Sequence, residues 1–254
     1  MTGISTGRRP RRTRLLSAAG AGVLLVSLAA CGGDDGDGEG GSGGSGGEGG
    51  SSAPWILGTT ETVTAMDPAG SYDFGSWNMQ YNIFEQLVSI PAGEEEPVGD
   101  AAESCDYDDP QTVTCTLREG LVFSNGNELT SSDVKFSLER NLAIADPNGS
   151  SVLLGAIADP KSGKLADGAI ETPDDTTVVF HLNQPDLTSL KVLTTATASI
   201  VDEETFPADK LMADDAVVGS GPYQLSQYKP GEQAVLELNP EYDGPRVGQA
   251  EQIY

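Results

Sequence analysis

Residues 117–140, LREGLVFSNGNELTSSDVKFSLER, place a strand end, a tight turn and a capped helix within 24 residues. Val122 and Phe123 close an apolar strand, and Asn125-Gly126 supplies the positive backbone angles of a turn. Thr130 caps a helix whose first turn holds Ser131, Ser132 and Asp133. The T-x-x-D spacing approximates a capping box, and Leu129 and Val134 flank it at the positions of a hydrophobic staple. Val134, Leu138 and Leu142 recur at i, i+4 and i+8, so the helix buries one face and is predicted to run to about Arg140. Taken alone, this stretch is a structural corner and names no function.

Working outward, the N-terminus carries five arginines between Arg8 and Arg14, no acid, and then an apolar run over 15–30. That pattern predicts a secretory signal peptide over residues 1–30, too short for a permanent span. Leu28-Ala29-Ala30-Cys31 resembles the lipobox of bacterial lipoproteins, which implies lipidation of Cys31 after cleavage. Residues 31–54 then form the lipidated cysteine and a Gly, Ser and acidic tether with no surface to bury, predicted to be disordered with a reach on the order of 25 Å. The expected localisation is the outer face of a bacterial cytoplasmic membrane, held there by lipid alone.

The whole chain carries a net charge of −25; without the leader, nine basic residues face 39 acidic ones, a net charge of −30. Such a field argues against nucleic acid and against adsorption to anionic lipid. Cys105 and Cys115 remain once Cys31 is lipidated. They flank the turn at Asp108-Asp109-Pro110 and fall opposite one another on a hairpin whose second strand is Thr112–Leu117, so outside the cytoplasm they are expected to pair. Closing that loop contributes about 2–4 kcal/mol. No ligand spacing suggests a metal, and no cofactor is expected.

The rest of the chain reads as a mixed α/β domain. Residues 55–58 form a short strand, residues 71–77 an aromatic loop, and 77–87 a helix in which Tyr81, Phe84, Leu87 and Val88 share a face. The loop aromatics are either packing or the rim of a ligand site. Residues 176–182 form a strand holding His181, the only histidine; with no nucleophile or metal-ligand pattern beside it, it is structural. Residues 187–199 read as a short helix turning into a strand. Gly219-Ser220-Gly221 lacks the third glycine and the following helix of a phosphate loop, so the glycines are expected to allow a close chain crossing. Strands at 224–228 and 234–239 enclose a hairpin turn at Lys229-Pro230-Gly231-Glu232.

The run L-R-E-G, F-S-N-G and D-V-K-F-S-L-E-R resembles the signature of family 5 extracellular solute-binding proteins, the dipeptide-, oligopeptide- and nickel-binding lipoproteins of ABC importers. Gly219-Ser220-Gly221-Pro222-Tyr223, Tyr228-Lys229-Pro230-Gly231-Glu232 and Asn239-Pro240-Glu241-Tyr242 are similar to its second landmark. Met66-Asp67-Pro68, Asn82-Ile83-Phe84-Glu85-Gln86-Leu87 and Pro185-Asp186-Leu187 fall in the family's order.

The resemblance implies a type II periplasmic-binding-protein fold with 55–254 as the first lobe and about 85–216 as an inserted subdomain. Relatives continue into a second lobe, so the chain is expected to be an N-terminal fragment lacking it. The implied function is non-catalytic capture of a peptide or other small solute and delivery to permease subunits and their ATPases, by a monomer. The implied ligand contacts are Tyr72, Asp73, Phe74, Gly75 and Trp77, with Thr194, Thr195 and Thr197. Rival readings are an adhesive or structural surface lipoprotein, a truncated product without function, and an exported hydrolase. The last is disfavoured because no nucleophile has a base.

Overall fold

A computed structural model describes residues 54–254. The expectations for the signal peptide, for Cys31 and for all but the last residue of the tether lie outside the described residues.

Three antiparallel sheets and three α-helices carry this part of the chain. α1 (Phe74–Ile83) leads into a ribbon of β1 (Val88–Ser89) and β2 (Val98–Gly99). A four-stranded sheet follows, built of β3 (Ala102–Asp109), β4 (Thr112–Leu117), β5 (Ile170–Asp174) and β6 (Thr177–His181) in the order β3-β4-β6-β5. α2 (Ser131–Ile144) lies between β4 and β5 in sequence and α3 (Ser189–Val192) follows β6. The last sheet runs β7 (Tyr223–Lys229), β8 (Gln233–Leu238), β9 (Gln252–Ile253). No helix among the described residues is long and apolar enough to cross a membrane.

Alternation decides the four-stranded sheet. Val113, Cys115 and Leu117 point inward from β4, Val178 and Phe180 from β6, and the register sets Val113 against Phe180 and Cys115 against Val178. On the other side of β4, Cys105 lies directly opposite Cys115 and the two form the expected disulfide. α2 covers this sheet with Val134, Leu138 and Leu142 buried. Its capping box is present: Thr130 Oγ1 accepts from the Ser132 N–H at 3.3 Å, and Asp133 Oδ2 accepts from the Thr130 N–H at 2.8 Å.

Several boundaries differ from the sequence reading. α2 continues to Ile144 because no glycine or proline interrupts it, and Ala145 ends it in the left-handed region at φ 44°. In the preceding turn only Gly126 takes a positive angle. α1 starts at Phe74, three residues before Trp77, because Asp73 caps it there. It stops at Ile83, so Phe84 and Leu87 are extended residues rather than a helical face. Residues 196–198 form a 3₁₀ turn and not a strand. Residues 55–58 reduce to one parallel bridge, Trp55 to Ile253, since exposed Ile56 and Leu57 find nothing to pack against.

The apolar interior falls into two clusters. One joins the four-stranded sheet to α2 through residues such as Val113, Phe123, Leu138 and Phe180, and ends at Ile200. The other gathers Met66, Ile83, Phe84, Val201, Phe206, Tyr223 and Leu236 around the last sheet. The chain passes between them beside Gly219, where a Cβ would stand 2.0 Å from the Ile83 carbonyl oxygen. The Gly221 N–H donates to that same oxygen at 2.8 Å, so the crossing tolerates no side chain.

A fully buried ion pair stitches the two clusters. Arg140 of α2 donates from Nη1 to Asp67 Oδ1 at 2.9 Å and from Nη2 to Oδ2 at 2.6 Å. The same guanidinium donates to the carbonyls of Pro207 and Lys210 and lies 5.3 Å above the Phe206 ring. Asp67 also accepts the N–H groups of Ala69 and Met212. Asp67 thus accepts four hydrogen bonds and Arg140 donates four, which offsets the desolvation of both charges.

A second ionic group holds the exit of α1. Arg118 donates to Glu85 Oε1 at 2.6 Å, and Arg246 donates to Asp100 Oδ1 at 3.0 Å and to the carbonyls of Tyr81 and Phe84. Burial, reinforced by the Asp100 charge, outweighs the two arginines and pushes the Glu85 carboxyl up to about 7 from an ordinary 4.5.

Two outcomes follow from these groups. Arg140→Ala leaves Asp67 charged and buried, and should lower the unfolding free energy by about 3–5 kcal/mol in urea titration; a loss below about 1 kcal/mol would contradict the geometry. Glu85 holds a proton in the folded state that the unfolded chain releases between pH 4.5 and about 7. Its contribution is thus full below that window and lost as pH rises through it. Melting temperatures of Glu85→Gln should fall less between pH 5 and 8 than those of the parent, and parallel curves would refute this.

Candidate functional site

The aromatic stretch at the start of α1 is fixed from below by short polar residues. Asp73 Oδ1 accepts from the Ser76 N–H and Oδ2 from the Ser76 hydroxyl, both at 2.8 Å. Ser76 Oγ in turn accepts from the Thr64 N–H at 2.8 Å. Gln80, fully buried one turn later, donates to Ser71 Oγ at 2.8 Å and to the Ala65 carbonyl at 3.1 Å. Gly75 sits where a Cβ would stand 2.3 Å from the Thr62 carbonyl oxygen, so strand-like chain passes directly against the helix start. These contacts bind residues 62–66 and 71 to the first two turns of α1.

What that base presents is an aromatic rim. Tyr72 stacks on Trp77 with centroids 5.3 Å apart, and Trp77 meets Tyr81 edge-on at 6.3 Å. Trp77 and Tyr81 are one helical turn apart, hence on one face. Tyr72 remains 53% exposed and Phe74 79% exposed, an unusual solvent presentation for two adjacent large rings on an otherwise bonded loop. Burial raises the Tyr81 hydroxyl above its ordinary value, against the lowering effect of the Ala196 N–H beside it. That contact brings α1 to the 194–197 segment. Burial also raises Tyr228, followed by the negative charges of Asp214 and Asp73. Asp73, the cap of α1, thus keeps a carboxylate beside the aromatic stretch.

Of the residues singled out from sequence, Tyr72 and Trp77 stack on one another, and Phe74 is exposed at the start of α1 without a ring partner among the described residues. Asp73 is a helix cap, and Gly75 is buried as a contact point for backbone. Thr194 and Thr195 are half-buried and donate their hydroxyls back to the carbonyls of Lys191 and Val192. Thr197 is 1% exposed and donates to Ser150 Oγ at 2.6 Å, so its side chain faces the interior rather than a ligand. Tyr81 was expected to share a helical face with Phe84, Leu87 and Val88; its place in the aromatic ladder follows from the i, i+4 spacing with Trp77, a signal already present in the sequence. Among the described residues no group of three or more His, Cys, Asp or Glu is arranged to hold a metal ion.

The model of bacterial extracellular solute-binding proteins, family 5 Middle, matches residues 96–253. The chain is 32% identical over 201 residues to the probable D,D-dipeptide-binding periplasmic protein DdpA of Escherichia coli K12, covering 74% of this chain and 36% of that protein. It is 26% identical to the dipeptide-binding protein DppE of Bacillus subtilis, covering 70% of this chain and 34% of the relative. Among solved structures, DppA of Helicobacter pylori in complex with the peptide STSA superimposes with a TM-score of 0.66 at 25% identity, over 79% of this chain and 42% of that one. Clavulanic acid biosynthesis oligopeptide binding protein 2 gives a TM-score of 0.67 at 25% identity, over 79% and 39%. The chain spans about a third of the length of the curated relatives it matches.

The contrast between base and rim is measurable. Ser76→Ala orphans buried partners and should cost about 1–3 kcal/mol, whereas Phe74→Ala should stay within about 0.5 kcal/mol of the parent. Equal losses in a denaturant titration would mean that Phe74 is packed and not presented.

Proposed function

The chain belongs to the family 5 bacterial extracellular solute-binding proteins, with a type II periplasmic-binding-protein fold, and on that premise we propose that it receives peptides for an ABC importer. The observation that carries this reading is the rim itself. Tyr72, backed by Trp77, and Phe74 keep most of their surface in solvent on a bonded loop and offer stacking faces to a peptide's side chains. The Asp73 charge beside the rim favours a neutral or cationic peptide over an anionic one.

In this reading residues 55–84 and 217–254 form one part of the binding lobe and about 85–216 an inserted subdomain. The parting of the apolar clusters at Phe84 supports the first boundary, whereas the second parting, between Ile200 and Val201, packs Val201 and Phe206 with the 217–254 part. Ligand selects a closed state against a facing lobe, and no covalent step is involved. Cys31 carries the lipid that tethers the protein to the membrane outside the cytoplasm, and permease subunits with their ATPases receive the peptide.

The test is calorimetric titration of the protein expressed from its native locus with di- to pentapeptide mixtures. Saturable binding is expected, and Tyr72→Ala with Phe74→Ala should weaken it at least about tenfold, in line with losing two stacking contacts. Failure of every peptide pool to bind, or unchanged affinity in the double variant, would remove the rim from the function.

A further inference from the structure

The four-stranded sheet bounds a second concavity, built of elements other than the aromatic rim. Val113 of β4, Phe180 of β6 and Leu154 of the turn over 151–157 line a solvent-open hollow of about 240 Å³ together with Val152, Ala156 and Val192, and Gln184, Asp186 and Ser189 add polar lining. Val113, Phe180 and Leu154 are buried in the main apolar cluster, so the apolar surface open to a ligand is mainly that of Val152, Ala156 and Val192. An apolar cavity of about 150 Å³ is already large enough to take benzene. This one therefore has room for a single ring with a short tail.

One charge stands at its mouth. Asp186 Oδ1 accepts from the Thr188 N–H at 2.8 Å and from the Thr188 hydroxyl at 2.6 Å, which fixes the carboxylate and holds its pKa below the ordinary range. The Asp186 N–H donates to the Pro110 carbonyl at 2.9 Å, so the backbone is anchored as well. Oδ2 has no hydrogen-bond partner among the described residues, and no Lys, Arg or His among them pairs with Asp186. The arrangement is a solvent-open pocket of mixed lining with one oriented, unpaired anion, in a chain whose net charge of −25 disfavours any anionic occupant.

We infer that this cavity is a binding site for a small amphipathic primary amine, with its ring or short alkyl body against Val152, Ala156 and Val192 and its ammonium on Asp186 Oδ2. The site is independent of peptide capture at the rim. It would let the subdomain respond to a small cation without blocking the aromatic surface.

Phenethylamine is the probe, with phenethyl alcohol and phenylacetate as neutral and anionic counterparts, titrated by calorimetry and by thermal shift into the purified protein. Saturable phenethylamine binding is expected, at least about tenfold tighter than the alcohol, with no binding of phenylacetate. Asp186→Asn, which keeps the Thr188 contacts, should reduce the amine to the affinity of the alcohol. Val192→Phe should fill the cavity and abolish both; if that variant fails to fold, Ala156→Leu serves the same purpose from the opposite wall. Phe74→Ala should leave phenethylamine affinity unchanged, which separates this site from the rim. No saturable binding by the parent, equal affinity for amine and alcohol, binding that survives a filled cavity, or binding lost in Phe74→Ala would each overturn the assignment.

Discussion

Asp67 and Arg140 lie 73 residues apart and are both removed from water, so neither would be tolerable without the other. Their pairing fixes more than two side chains. Asp67 caps the 3₁₀ turn Pro68–Gly70 through the Ala69 N–H and receives the Met212 N–H. Arg140 holds the carbonyls of Pro207 and Lys210. One bidentate contact thus determines where α2 ends against the turn before α1, and where the 207–212 segment crosses both. The aromatic rim begins at Ser71, immediately after that turn, so its position is set by a charge pair that touches no ligand.

The corner at 117–140 works the same way at every step. Arg118 reaches Glu85 and the carbonyls of Asp100 and Asp243; the Ser124 N–H donates to the Gly219 carbonyl; Asn125 and Asn127 both donate to Asp202. Burial raises the Asp202 carboxyl, but hydrogen bonds from Thr205, Asn125 and Asn127 outweigh it and the net direction is down, as suits a buried anion with a full set of donors. At the helix start, Ser131 donates from N and Oγ to the carbonyls of Asp175 and Asp174 in the β5–β6 turn. The density of local signals in this stretch has a physical basis. Arg118, Ser124, Asn125, Asn127 and Ser131 each make long-range bonds that depend on the turn and cap being placed correctly.

Much of this was legible in advance where the signal is local. The capping box at Thr130 and Asp133, the β4 and β6 alternation, the hairpin around Gly231, the cross-strand position of Cys105 and Cys115, and the need for glycine at 219 and 221 each follow from neighbours within a few residues. What escaped depended on distant partners. Asp67 read as part of a turn because nothing in Met66-Asp67-Pro68 points to Arg140. α1 was started at Trp77 because Asp73 was read as a rim residue, whereas its carboxylate is used on Ser76. Thr197 read as a contact because an apolar, threonine-rich run does not reveal which hydroxyl finds Ser150 in the interior.

The misplacement of Asp73 and Thr197 sharpens the view of the rim. A carboxylate already bonded to two donors and a hydroxyl already bonded inside cannot reorganise to meet a ligand without losing those bonds. Their role is to hold geometry, and the rings are what remains free. Tyr72 and Phe74 gain little from being folded, since so much of their surface stays wet, yet the loop bearing them is bonded at Ser71, Asp73, Ser76 and Gln80. A surface whose side chains are open and whose backbone is fixed loses little conformational entropy when a ligand stacks on it. That combination turns an exposed apolar patch from a liability into a preorganised face.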